Sequence, residues 1–423
     1  MRKGKTAQLS IPQAAGRTAG GGSSRSLDHW LVRRMLAWMH EPPVVVRLWD
    51  GTEIRPSTPA PEATMEIRDR GALLTLLLNP DLNFGDLYSA GRIEIHGDLT
   101  RFLVEIYRRL DARGTAPVLR AARAWINRPR RNNLSGSQDN VHHHYDIGNA
   151  FYRLWLDGEH MQYTCAYYPD ASLTLEQAQA AKMDHVCRKL RLRPGDTVVE
   201  AGCGWGGLAR FMARHYGARV RAFNISREQV AFARDRAARE GLADRVEYVQ
   251  DDYRNIEGHY DVFVSVGMLE HVGTPQYREL GEVIRRSLRR DGRGLIHTIG
   301  RNRPKPLNAW IERRIFPGAY PPTLRQMMDI FENTPFSVLD VENLRLHYAR
   351  TLRHWRERFE QHRERVGEMF DEQFVRAWRL YLHGSEAAFS AGELQLFQVV
   401  FAHHDNNDIP GSRAHLYDGR MLP

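Results

Sequence analysis

No stretch of the 423-residue chain approaches the roughly 20 consecutive apolar residues that a membrane-crossing helix requires, so no transmembrane span is expected. Cysteine is scarce. Cys165, Cys187 and Cys203 form no paired framework, which fits a reducing cytoplasm. Metal ligation finds no support: His142, His143 and His144 are adjacent and diverge on any one element, and no Cys/His pair stands at ligand spacing. The glycine-rich turn at 202–207 lacks the lysine of a Walker loop. There is no fixed-period repeat. Residues 1–26 are basic but have no apolar centre, so they do not read as a secretory signal. Their glycine, serine and polar side chains bury too little surface to offset the entropy of ordering, and a disordered lead-in is expected.

What the chain does have is enough apolar content, 42% of residues, to give two domains real cores. Lys and Arg number 60 against 51 Asp and Glu, a formal charge of +9. Such a surface attracts polyanions, either nucleic acid or the anionic face of a membrane. Charge alone does not choose between them.

Residues 27–128 read as a small α+β domain, a binding or docking module rather than the seat of chemistry. A helical opening precedes two strands within 44–54 that turn at Asp50-Gly51, a favoured hairpin dipeptide. MEIR (65–68) extends the strands, and GALLTLLLN forms a short apolar helix stopped by Asn79-Pro80. RIEIHGD (92–98) alternates as a strand, and LTRFLVEIYRRLDARG carries apolar residues at helical spacing. The domain shows no cluster of nucleophile, base or metal ligands. Around Trp125, the arginines 120, 123, 128, 130 and 131 read either as an exposed helix end running into a linker or as a basic, aromatic-bearing patch suited to anionic headgroups. A polar linker follows at 129–140.

From 141 to 408 strands and helices alternate, and 409–423 is left as a C-terminal tail. Strands are expected near 197–201, 219–223, 246–249, 261–266 and 294–299, with helices opened by capping boxes at Thr174–Gln177 and Ser226–Gln229. This pattern predicts an α/β, doubly wound, Rossmann-like sheet that binds ligands at the carboxyl ends of its strands. TVVEAGCGWGG (197–207) organises it. A buried strand ends at Glu200, glycines let the backbone approach a ligand, and the next helix offers unpaired N–H groups. E-x-G-x-G-x-G reads as the turn that binds S-adenosylmethionine (SAM). Glu200 would hold the amino acid part of that donor, polar groups at 224–229 the ribose, and Asp252-Tyr253 the adenine.

The acceptor is decided elsewhere. Nucleic-acid amino-methyltransferases carry an Asn/Asp-Pro-Pro-aromatic cluster after the fourth strand, where this chain reads VSVGMLEHVG (264–273). NTPF occurs at 333–336, after the last strand assigned, so base methylation and a nucleic-acid partner are set aside. HYDIGN (144–149), MQYTCAYY (161–168), LEQAQAAK (175–182), GCGWGG (202–207), DYR (252–254), VSVGMLEHVG, HTIG (297–300), IFPG (315–318) and LQLFQVVF (394–401) stand in one order. Carrying these, the chain resembles the cyclopropane-fatty-acyl-phospholipid synthase family over essentially all of 141–402. Residues 27–128 resemble, more weakly, the sterol-carrier-like N-terminal domain of many members, which implies a lipid-binding or docking domain.

That resemblance implies transfer of the SAM methyl to a cis double bond of a membrane phospholipid acyl chain, followed by ring closure. An alkene is a poor nucleophile and must be aligned at near-attack distance, and the carbocation that forms must be kept from water. The family's base is bound bicarbonate, which needs both donors and acceptors around it. The matching positions are Glu270 to accept its O–H, His297 to donate, Cys165 and Tyr348 to complete the cage, and the backbone of Ile299. For the donor, the turn and the resemblance together give Tyr163, Thr164, Glu200, Gly202, Gly204, Trp205, Gly206, Asn224, Ile225, Ser226, Gln229, Asp252, Tyr253 and Arg254. Asn224 departs from the threonine common in relatives, which implies tuned affinity rather than loss. Trp310, Ile311, Ile315, Phe316 and Phe336 are candidates for an apolar acyl tunnel. The expectation is a cytoplasmic enzyme, peripheral on the inner membrane face, acting on unsaturated phospholipids. Its rivals are an alkene methyltransferase that stops at a methylene- or methyl-branched chain, and a lipid-binding protein with a vestigial site. Family members often dimerise; no stretch here forces a homodimer.

Overall fold

The computed structural model describes residues 24–57, 61–111 and 147–417. The basic patch at 120–131, the linker at 129–140, the three histidines and nearly all of the 1–26 lead-in lie outside these residues. Of the tail, 409–417 is described.

Two compact units are present, and both are discontinuous in sequence. The smaller holds a four-stranded sheet of order β2-β1-β3-β4, from β1 (Val44–Arg47), β2 (Glu53–Ile54), β3 (Ala63–Ile67) and β4 (Ile93–Gly97). β1 pairs antiparallel with β2 and parallel with β3, and β3 pairs antiparallel with β4. The expected helices are present at Ser24–Trp38, Arg70–Leu78 and Leu99–Asp111. Asn79-Pro80 ends one helix and starts another, Pro80–Ser89, because proline lacks an N–H that the first helical turn does not need.

The expected boundary at 128 does not hold all of this unit's chain. Asn308–Ile315 and Trp355–Glu393, read above as part of the second domain, pack with the first. Arg314 pairs with Asp86 at 2.8 Å, and Arg376 donates to the Tyr88 carbonyl at 2.7 Å while covering its ring. The helix Glu372–Ala391 also meets Leu99–Asp111, where Thr100 and His383 are hydrogen bonded at 2.7 Å. Partners this distant in sequence leave no local signal of membership.

The larger unit is built on a seven-stranded sheet of order β10-β11-β9-β8-β5-β6-β7. β5 (Thr197–Ala201), β6 (Arg219–Asn224), β7 (Val246–Gln250), β8 (Tyr260–Val266) and β9 (Leu288–Gly300) are parallel, as expected. Two further strands passed over in the sequence, β10 (Phe336–Asn343) and β11 (Gln395–His403), add antiparallel to that edge. Alternate residues of β5 serve opposite cores. Val198 packs with helices Leu175–Lys189, Gly207–Tyr216 and Arg227–Arg239; Val199 packs with Tyr277–Ser287. Winding runs from β5 toward β7 one way and toward β9 the other, so the strand order reverses between β5 and β8. A crevice opens at that reversal, at the carboxyl ends.

Candidate active site

The glycine turn after β5 takes backbone angles that side chains resist, with φ of +84° at Gly202, +52° at Gly204 and +74° at Gly206. Gly202 and Cys203 both donate to the Phe223 carbonyl at 3.0 Å, which pins the turn to the end of β6. There Asn224 donates to the Gly204 carbonyl at 3.1 Å and to Gln229 Oε1 at 2.8 Å, and its own oxygen takes the Ser226 N–H. Asn224 thus ties the two ligand loops together. The Thr174 capping box forms as expected. At the second site Ser226 caps the helix, but the Gln229 side chain serves Asn224.

One cavity at the carboxyl ends is lined by Tyr163, Thr164, Glu200, Gly202, Gly204, Trp205, Asn224, Ile225, Gln229, Asp252, Tyr253 and Arg254. Gly206 and Ser226 from the expected donor set do not line it. Gly206 caps the following helix, where a Cβ would lie 2.5 Å from the Tyr248 ring, and Ser226 is buried as the other helix's cap. Asp252 caps a short turn and holds Arg254 at 3.0 Å, and that guanidinium lies over the Tyr253 ring. Glu200 is buried, and its Oε2 has no hydrogen-bond partner among the described residues. Burial pushes its carboxyl up to about 7, against the pull of Lys182 and Arg210. An ammonium-bearing ligand would stabilise the ionised form.

Tyr152, Trp155, Tyr163 and Trp205 form an aromatic wall with centroids 4.9–5.5 Å apart, and Trp205 Nε1 donates to Asn149 at 2.6 Å. Phe316 stands 6.4 Å from Tyr163 and 6.1 Å from His271. The other tunnel candidates fall elsewhere. Phe336 packs on Phe401 in the sheet core, and Trp310, Ile311 and Ile315 belong to the smaller unit.

Of the five expected base-cage residues, His297 and Ile299 lie on β9 and Glu270 bonds to it, while Cys165 and Tyr348 connect to that region through Leu344. Glu270 Oε1 accepts the Ile299 N–H at 2.6 Å. His297, two residues before Ile299 on the same strand face, pairs across β11 with Gln398, whose amide lies 3.1 Å from Nδ1. Ile299 is opposite Leu396, which accepts the Leu344 N–H; the Leu344 carbonyl lies 4.0 Å from Cys165 Sγ, and Tyr348 sits one helical turn on. None of the five lines the donor cavity, but Thr164 beside Cys165 and His271 beside Glu270 do. Burial raises the Glu270 carboxyl to about 7, opposed by the Ile299 N–H. Burial also holds His297 far below its ordinary value and Cys165 far above, so both are neutral at pH 7.

Several residues were missed. Met161, Gln162 and Met268 line the cavity together with His271, which the sequence already sets beside Glu270 at a strand end, and Lys182 is buried behind it, bonded to Gln162 Oε1 and, at 3.0 Å, to Thr164 Oγ1. Burial lowers that ammonium to about 8. Met161 is held at φ +53° in a turn organised by Asp157, whose carboxylate accepts the N–H groups of His160 and Gln162 at 2.7 and 2.6 Å. On the other side of the same stretch, Thr351 and His347 take the N–H groups of Ala166 and Tyr168. The only signal for these was their place inside or beside the quoted motifs.

A mostly parallel sheet, a glycine turn at its reversal point and a cavity edged by Glu200, Asn224 and Asp252 define a SAM-dependent methyltransferase. Residues 132–399 match the family described as mycolic acid cyclopropane synthetase, and the chain belongs to that family. Residues 31–114 match a domain of unknown function, DUF7884. The chain is 36% identical to a probable fatty acid methyltransferase of Pseudomonas putida, over 89% of this chain and 96% of that one. It is 40% identical to the cyclopropane-fatty-acyl-phospholipid synthase of Escherichia coli strain K12, over 64% of this chain and 69% of that one. The solved cyclopropane synthase MmaA2 from Mycobacterium tuberculosis superposes with a TM-score of 0.60 at 29% identity, over 64% of this chain and all of that one.

Proposed function

We infer that the enzyme cyclopropanates unsaturated phospholipid acyl chains at the inner membrane face, using SAM. One observation carries this reading: a donor cavity set directly beside a buried acid and a buried neutral histidine. Glu270 Oε2 and His297 Nε2 are both buried without a hydrogen-bond partner among the described residues. In a neutral ring whose Nδ1 accepts from Gln398, the proton sits on Nε2. The pair then presents one acceptor and one donor, the combination a bicarbonate ion needs. Bound there, bicarbonate would supply the base that takes a proton from the transferred methyl as the ring closes. Glu270, His297, Cys165, Tyr348 and the Ile299 backbone would hold it, while the aromatic wall keeps water from the carbocation.

A second reading has the acyl chain methylated without ring closure. The similarity to a probable fatty acid methyltransferase over 89% of the chain favours it. Purified protein is incubated with unsaturated phospholipid vesicles and methyl-labelled SAM, with and without added bicarbonate, and the acyl chains are fragmented to locate the label. A ring whose formation depends on bicarbonate is the expected product. Label in an unringed branch would move the function to the second reading, and no label in lipid would leave a binding protein.

A further inference from the structure

The smaller unit exposes large apolar side chains on two helices that one ion pair staples together. On Ser24–Trp38, Val32, Met35 and Leu36 point into the core, while Leu27 and Trp30 are 49% and 54% exposed. On Arg70–Leu78, Ala72, Leu73 and Leu76 are buried, and Leu74 and Leu78 are 44% and 84% exposed. Spacings of three and four residues put each exposed pair on one helix face. Arg70 Nε donates to the buried carboxylate of Asp28 at 3.0 Å, so the turn bearing Leu27 and Trp30 is fixed beside the turn that leads to Leu74.

The charges that these two helices themselves expose have one sign. Arg33 and Arg34 share the outward side of the first helix, and the Arg34 guanidinium lies 5.4 Å from the Trp30 ring centre. Asp28 is the single acid on that helix, and it is buried and paired; Arg70–Leu78 contains none. Exposed leucines, a tryptophan and an arginine stacked on its ring are the makeup of a surface that rests in the headgroup layer.

We propose that Leu27, Trp30, Leu74 and Leu78, with Arg33 and Arg34, form the face by which this protein docks on an anionic phospholipid bilayer. The lipid-substrate reading supplies the choice of partner; the face itself stands on its exposure and charge. A second copy fits less well. Two-fold self-association would lay this patch on itself, bringing the arginines of both copies together with no exposed carboxylate from either helix.

The test is co-sedimentation of the full chain with phosphatidylglycerol-containing vesicles and with purely phosphatidylcholine vesicles. Trp30→Ser/Leu78→Ser and Arg33→Gln/Arg34→Gln are compared with wild type, and Arg128→Gln/Arg130→Gln/Arg131→Gln serves as the comparison for the basic stretch. Both face variants should lose anionic-vesicle affinity by about tenfold or more. The arginine variant should also lose the salt sensitivity of binding. All changed positions on the face are exposed, and an unaltered melting temperature verifies the fold. Methyl transfer to detergent-dispersed lipid should be unchanged in them. Unchanged vesicle affinity would overturn the proposal, as would a loss confined to the 128–131 variant. Disruption of a dimer by the face variants, with vesicle affinity intact, would assign the face to a second copy. Binding lost in the variants of a protein that transfers no methyl would sink the chemistry and leave the docking face standing.

Discussion

His347 and Tyr168 are joined by a 3.0 Å hydrogen bond in which the Tyr168 main-chain N–H donates to the imidazole Nδ1. One helical turn on, Thr351 Oγ1 accepts the Ala166 N–H, also at 3.0 Å. The helix Arg345–Gln361, which carries Tyr348, therefore grips alternate amides of the stretch that begins at Cys165. Burial lowers His347 below its ordinary value, which keeps Nδ1 free to accept. Thr351→Val removes the acceptor and strands a buried amide, a cost of about 1–3 kcal/mol. The expected result is turnover lowered roughly tenfold to a hundredfold with SAM affinity unchanged, and recovery in Thr351→Ser. Equal loss in the serine variant would show that the hydroxyl acceptor is not what matters.

Lys182 supports the same stretch from its donor side, through Gln162 and Thr164. Lys182→Met should weaken SAM binding by about tenfold, because both partners line the donor cavity. Calorimetric titration with SAM checks this. A variant with wild-type affinity would reduce Lys182 to a core residue.

Glu270→Gln should retain SAM binding and lose most turnover. In the wild type, the rate should rise with pH through about 7, as the carboxyl ionises and becomes an acceptor. Stability should run the other way. The folded carboxyl is raised above its unfolded value, so its contribution is complete below about 4.5 and is lost as pH climbs through about 7. The loss is roughly 3 kcal/mol for a shift of this size. Melting curves from pH 4 to 8 should fall less steeply in Glu270→Gln. Parallel curves would rule out the raised value.

Gly204 and Gly206 should part company on substitution. An alanine methyl at Gly206 would meet Tyr248 at 2.5 Å, on a backbone with φ +74°. Gly206→Ala should cost on the order of 2 kcal/mol of stability. At Gly204 nothing lies within 4 Å of the added carbon, which would stand in the donor cavity. Gly204→Ala should melt nearer to wild type and bind SAM at least tenfold more weakly. Thermal melts with and without SAM separate the two effects.

The sequence by itself determined the elements whose signals are local. Alternating apolar runs and glycine punctuation placed β5 to β9, Thr174 and Ser226 marked their helix starts, and Glu200 followed by spaced glycines marked the donor turn. Those features depend on neighbours within a few residues, so a one-dimensional reading captures them. Tertiary structure decided the rest. It sent Gly206 and Ser226 to capping roles and moved Phe336 into the sheet core. It also recruited 308–315 and 355–393 to the smaller unit. Lys182, His347 and Thr351 acquire their roles from atoms that chain position does not reveal. Thr351 meets Ala166 across 185 residues, and a hydrogen bond depends on where two atoms end up, which only packing of the whole unit fixes.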